Sequence, residues 1–141
     1  MKRSSFLLML IGVLIAGIPP LYGQVPTPTP FNQICYLDLE YSTYLGGSGY
    51  DSASAVDLSA GGVYVAGASS SDNFPTAAPY QPDRTGDSDV FITSFNSTGS
   101  VLLYSTYIGG SGNDTCNGLA LSADEAFLTG NTSSADFPTV N

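Results

Sequence analysis

Tyr41–Asp51 reads YSTYLGGSGYD, and 63 residues later Tyr104–Asp114 reads YSTYIGGSGND. The match runs without a gap from Tyr41–Thr76 onto Tyr104–Thr139, with 18 of 36 positions identical. Other exchanges are like for like: Leu45 with Ile108, Val56 with Leu119, Tyr64 with Phe127. The first copy closes on SSSDNFPT and the second on SSADFPT. Half identity over an ungapped stretch exceeds what a Gly- and Ser-rich composition produces, so the chain is built from repeats. One copy covers 41–103; the other starts at Tyr104 and runs to Asn141.

Outward from this motif, turn signals cut each copy into short strands. Val90–Phe95 and Val101–Ile108 flank Asn-Ser-Thr-Gly-Ser, a hairpin loop in which Gly99 can take positive φ. Ala55–Leu58 and Val63–Ala66 flank Ser-Ala-Gly-Gly, and their counterparts Gly118–Leu121 and Ala126–Thr129 flank Ser-Ala-Asp-Glu. About four strands per copy is the spacing of an all-β repeat. No window after Gly23 carries a 3.6-residue apolar period, and the Gly and Pro content opposes helices. The expected fold class is all-β.

Val101-Leu102-Leu103-Tyr104 and Val63-Tyr64-Val65 do not alternate apolar with polar residues, so these strands are expected to be covered on both faces. Four-stranded antiparallel blades stacked around an axis, as in a β-propeller, meet that demand. A two-sheet sandwich with polar outer faces is the alternative, and Ser42, Thr43, Ser105 and Thr106 leave room for it. The YSTYLGGSG motif with its following Asp, the YVAG strand and the FPT tail resemble the SBBP repeat. Asp89-Val90-Phe91-Ile92 fits that family's strand before the next YSTY. The family takes its name from a predicted seven-bladed β-propeller of exported and cell-surface proteins. The resemblance therefore implies architecture and location rather than an activity. Where the family usually has Gly-Asn before the YVxG strand, this chain has Gly61-Gly62 and Asp124-Glu125.

The N-terminal MKRSS is basic, Phe6–Ile18 is an unbroken apolar run, and Pro19-Pro20 end it. This is the layout of a secretory signal peptide over 1–23, cleaved after Gly23, and the expected location is secreted or cell-surface. As a helix the run spans about 20 Å, short of a ~30 Å hydrocarbon core; an uncleaved tilted anchor is the alternative. Gln24–Pro30 (QVPTPTP) reads as an extended spacer, and the repeat region as 31–141.

Composition excludes more than it proposes. There are twelve Asp or Glu, three Lys or Arg and no His, for a net charge of −9. Without His there is no Ser–His–Asp triad and no imidazole zinc ligand. Beyond Lys2 no lysine is present to form a Schiff base. The acidic balance repels nucleic acid and anionic membranes. No catalytic residue is expected.

Asp83, Asp87 and Asp89 surround Gly86 in a loop that could wrap Ca²⁺ with carboxylate oxygens; equally, it could be a solvated turn. Asp51 and Asp114, recurring after Gly-Ser-Gly-x, suit a structural turn. Cys35 and Cys116 are either a disulfide, stabilising by about 4 kcal/mol in the chain-entropy model, or two buried thiols. Tyr50 and Tyr80 could offer stacking faces. Asn96, Asn113 and Asn131 head glycosylation acceptor triplets.

A seven-bladed ring at this repeat length needs about 440 residues, so the chain is expected to be part of a longer protein or to assemble with other copies. The expected function is a non-catalytic propeller module, a scaffold or binding surface for protein or glycan. The alternative is the accessory region of an exported hydrolase.

Overall fold

The computed structural model describes residues 8–13, 39–122 and 125–140. Among them are eight strands and no helix: β1 (Leu8–Val13), β2 (Leu39–Leu45), β3 (Asp51–Ser59), β4 (Gly62–Ser69), β5 (Asp89–Phe95), β6 (Leu102–Ile108), β7 (Asp114–Ser122) and β8 (Glu125–Thr132). The fold is all-β, with antiparallel sheets that do not close on themselves. No helix among the described residues is long and apolar enough to cross a membrane.

The sequence repeat is a structural one. Strands β6, β7 and β8 recur 63 residues after β2, β3 and β4. Even the irregularities recur: the β3–β4 register slips between Ala53 and Ala55, and the β7–β8 register slips between Cys116 and Gly118. Such bulges bend a strand and increase its twist.

Strands β3–β4–β5–β6 form one sheet in chain order, each hairpin-linked or adjacent to the next. The β5–β6 hairpin closes through Asn96, whose Oδ1 accepts from the amides of Ser100 and Val101. Gly99 sits at φ +66°, where a side chain would also collide with the Tyr41 ring. That satisfies the turn reading made from sequence.

Two cores lie on opposite faces of this sheet. On one, Val65, Phe91, Phe95 and Tyr107 pack with Leu45 of β2 and with Phe74 from the β4–β5 connection. Phe74 stacks on Phe91 with ring centroids 4.5 Å apart. On the other, Ala66 and Val90 pack with Cys116, Leu119 and Leu128 of the β7–β8 hairpin. All seven residues of β5 are consequently buried. Each large apolar side chain so enclosed contributes about 1.5–3 kcal/mol of transfer free energy.

Coverage of both faces is thus realised in β5, but not at Val101–Leu103, where Val101 and Leu103 are each half-exposed. Pairing jumps from Ser94↔Tyr104 to Phe95↔Leu102, so Leu103 is the bulged residue and turns out of the ladder. The outer edge of β6 is covered by the connection before β5, through Ala77↔Ser105 and Gln81↔Tyr107.

In the N-terminal apolar run, Leu8–Val13 is a strand rather than part of a helix. It pairs antiparallel with β2, from Leu8↔Leu45 to Val13↔Leu39. Pairing with β2 satisfies the backbone groups that β1 turns toward it, and an apolar segment with Ile and Val suits a strand.

Candidate functional site

The recurring Asp is the centre of a turn built twice. Asp51 Oδ2 accepts from the Gly47 amide and the Ser71 hydroxyl, each at 2.8 Å. Asp114 Oδ2 accepts from the Gly110 amide and the Ser134 hydroxyl, again at 2.8 Å. Around them, Gly49 N donates to Ser71 Oγ at 2.7 Å and Gly112 N to Ser134 Oγ at 2.8 Å. Glycine is required at Gly49 by close approach: a Cβ there would lie 2.6 Å from the Ser70 carbonyl. Burial alone would raise the Asp114 carboxyl, but hydrogen bonds from Thr132, Gly110 and Ser134 hold it below its ordinary value. Both carboxylates are engaged in holding the GGSG segment against the Ser-Ser segment that follows β4 or β8.

The Asp83–Asp89 loop is placed by the same motif. Asp89 is fully buried at the start of β5. Its Oδ2 accepts from Gln81 Nε2 at 2.8 Å and Thr85 N at 3.0 Å, and its Oδ1 from Gly86 N at 3.1 Å. Asp83 and Asp87 are exposed. The structure does not bring the three carboxylates together, and among the described residues no three His, Cys, Asp or Glu side chains converge on a point that could hold a metal ion.

Instead the loop latches onto the second GGSG: Thr85 Oγ1 donates to Gly110 O, Asp87 N to Gly112 O, and Asp114 N to Ser88 O. A second link between copies joins β3 to β7, where Asp57 Oδ2 accepts from Leu121 N at 2.9 Å. Arg84 pairs with Asp72, Nη2 to Oδ1, at 2.5 Å.

Cys116 is buried in the core between the sheet and the β7–β8 hairpin, and burial pushes its thiol up. Cys35, its candidate disulfide partner, lies outside the described residues. Tyr50 and Tyr80 are exposed. Of the glycosylation triplets, Asn113 and Asn131 are exposed, whereas the Asn96 side chain is engaged in its hairpin turn.

One feature escaped sequence reading. A cavity of about 290 Å³ opens between the β3–β6 sheet and β8, lined by Val90, Ile108, Cys116, Leu128, Gly130 and Phe137 among others. Ile108, Cys116, Leu128 and Phe137 are the 63-residue counterparts of Leu45, Ala53, Val65 and Phe74. Those four belong to the core around Phe91 and Tyr107. The offset alone, applied to the apolar residues, carried the signal. No family model, curated protein or solved structure matches this chain.

Proposed function

We propose that the chain is an exported, non-catalytic β-propeller repeat module, acting at the cell exterior as a scaffold or binding surface for protein or glycan. The observation that carries this reading is the β3–β6 sheet, flanked on one face by a strand of the copy boundary before it and on the other by the hairpin of the copy after it. Sheets stacked face to face at a fixed repeat are what a propeller requires. The resemblance of YSTYLGGSG and its partners to the SBBP repeat supports the same architecture, and the basic-apolar-proline N-terminus supports export. The buried acids support a non-catalytic role, since Asp51, Asp89 and Asp114 are engaged by backbone amides and hydroxyls of turns.

Two measurements test it. The full chain with a C-terminal tag, expressed in a bacterial host, is expected in the exported fraction with its mature N-terminus at Gln24 by intact mass. Retention in the cytoplasm at full length overturns export. A concatemer of residues 41–103 is expected to give closed rings in electron micrographs; open or helical arrays overturn the propeller.

A further inference from the structure

We propose that Asn117–Gly118 is a site of self-modification, at which the asparagine amide is lost as ammonia and replaced by a carboxylate. Of the asparagines in the chain, only Asn117 is followed by glycine, whose amide nitrogen no side chain obstructs. Pairing in the β7–β8 hairpin steps from Cys116↔Gly130 to Gly118↔Thr129, so Asn117 is the bulged residue, outside the ladder. It is exposed, between buried Cys116 and half-buried Gly118. Ser54, its counterpart in the first copy, is the bulged residue of β3 and is exposed as well. Asn117 is exposed with a sheet packed before it and Ser54 with a hairpin packed after it, so the bulge is open on both sides. The bulge itself does not need the Asn–Gly pair, because Ser54–Ala55 builds the same irregularity. A Cβ on Gly118 would meet only Thr129 Oγ1, at 3.1 Å.

In a regular strand the side chain stands perpendicular to the sheet, away from the next amide. A bulge bends the strand and relaxes that restraint. The Gly118 amide nitrogen, losing its proton to base, attacks Asn117 Cγ. A Cγ–N bond forms, the Cγ–Nδ2 bond breaks, and ammonia leaves after taking up a proton. Water then opens the five-membered imide at either carbonyl. One opening gives aspartate; the other gives isoaspartate, in which the main chain runs through the former side chain and gains a methylene. Either way water is consumed, ammonia is released and a negative charge is added. The consequence falls on the link between copies. Beyond the bulge, Leu121 N donates to Asp57 Oδ2 at 2.9 Å, and Leu119 packs against the core of Ala66 and Val90. An added methylene at the bulge displaces both relative to the first copy.

This goes beyond the reading above and does not need it: export and ring closure could both fail while Asn117 still converts. The test holds the full chain at mildly alkaline pH and physiological temperature, with digests followed over time by chromatography and mass spectrometry. The peptide containing Asn117 is expected to gain the mass difference of hydroxyl for amino group. It is also expected to split into two species of equal mass, and to do so faster as pH rises. Asn117→Ser, which restores the first-copy residue, is expected to abolish the change, and Gly118→Ala, likewise the first-copy residue, to slow it several-fold. The Leu121 amide of the converted chain is expected to exchange with solvent faster than before. No conversion at Asn117 while a synthetic Thr115–Leu121 peptide converts overturns the proposal, since the fold then protects the site. That comparison uses no variant, so folding of a variant does not enter it. Conversion of Asn96, Asn113 or Asn131 at an equal rate, or an unchanged rate in Gly118→Ala, also overturns it. A Leu121 amide equally protected before and after conversion overturns the effect on the link between copies.

Discussion

The β3–β4 and β7–β8 hairpins share length, register, bulge and the Asp-centred turn that precedes them, yet their surroundings differ sharply. In β4, Val65, Ala66 and Gly67 are buried; in β8, Thr129 and Gly130 are exposed and Leu128 is half-buried. The local shape thus follows from turn chemistry carried within each copy. Burial follows from β5 and β6, which β4 has beside it and β8 does not. Most of the stability difference between the two hairpins should accordingly reside in side chains that face β5, and little in the turns.

The sharpest way to break this comparison is the Phe74/Phe137 pair. Phe74 is 4% exposed and stacks on Phe91. Phe74→Ala is expected to cost about 3–5 kcal/mol in urea unfolding, and Phe137→Ala about 1 kcal/mol or less. Equal losses would mean that the second hairpin is as enclosed as the first. Gly67→Ala and Gly130→Ala come next. A Cβ would lie 2.0 Å from the Ser52 carbonyl at Gly67 and 2.0 Å from the Thr115 carbonyl at Gly130. Among the described residues, only β4 is held on its other edge and against the Phe91 ring. Gly67→Ala should therefore cost about 2–3 kcal/mol, and Gly130→Ala about 1 kcal/mol because β8 can shift outward. Thermal melts of the two variants side by side check this.

The turns should behave alike. Asp114→Asn replaces a carboxylate that accepts from Gly110 N and Ser134 Oγ, and is expected to cost about 1–2 kcal/mol near neutral pH. The folded carboxyl is held below its ordinary value. Its contribution is therefore fully present above the unfolded value and is lost as pH falls through the depressed folded value. The gap between wild type and Asp114→Asn should close in that acid window, as read from urea midpoints at stepped pH. A gap that widens toward acid would contradict the bonding pattern. Asp51→Asn is expected to match Asp114→Asn near neutral pH; a clear difference would show that enclosure by β5 reinforces the first turn.

How much of this was legible depended on range. The hairpin at Asn96–Ser100, the strands around Ala60-Gly61 and the duplication itself were readable because Gly, Asn and Asp set backbone angles within a few residues. Asp89 was not: as one of three acids around Gly86 it resembled a cation ligand, and only the fold turns it inward onto Gln81 and Thr85. Leu103 read as a residue of a doubly covered strand, and a one-residue bulge against Phe95 exposes it. The pairing of Leu8–Val13 with β2 and the cavity by Phe137 depend on partners far away in sequence, which local periodicity does not report.

The smallest expected effect separates decoration from design. Asp72 pairs with Arg84, while its counterpart in the second copy is Ala135, which has no charge to offer. The neighbouring position, in contrast, keeps its role: Asn73 Oδ1 accepts from Ser48 N and Asp136 Oδ1 from Ser111 N. The Asp72 side chain is 83% exposed, so solvent and salt screen the pair, and Asp72→Ala should change stability by less than about 0.5 kcal/mol. Melting in low and high salt reads it, with little difference between wild type and variant expected in either. A loss above about 1 kcal/mol would instead mean that Asp72 holds the mostly buried Arg84 guanidinium, and with it the loop latched onto the second GGSG. The first hairpin would then owe part of its greater enclosure to an ion pair that the repeat pattern does not encode.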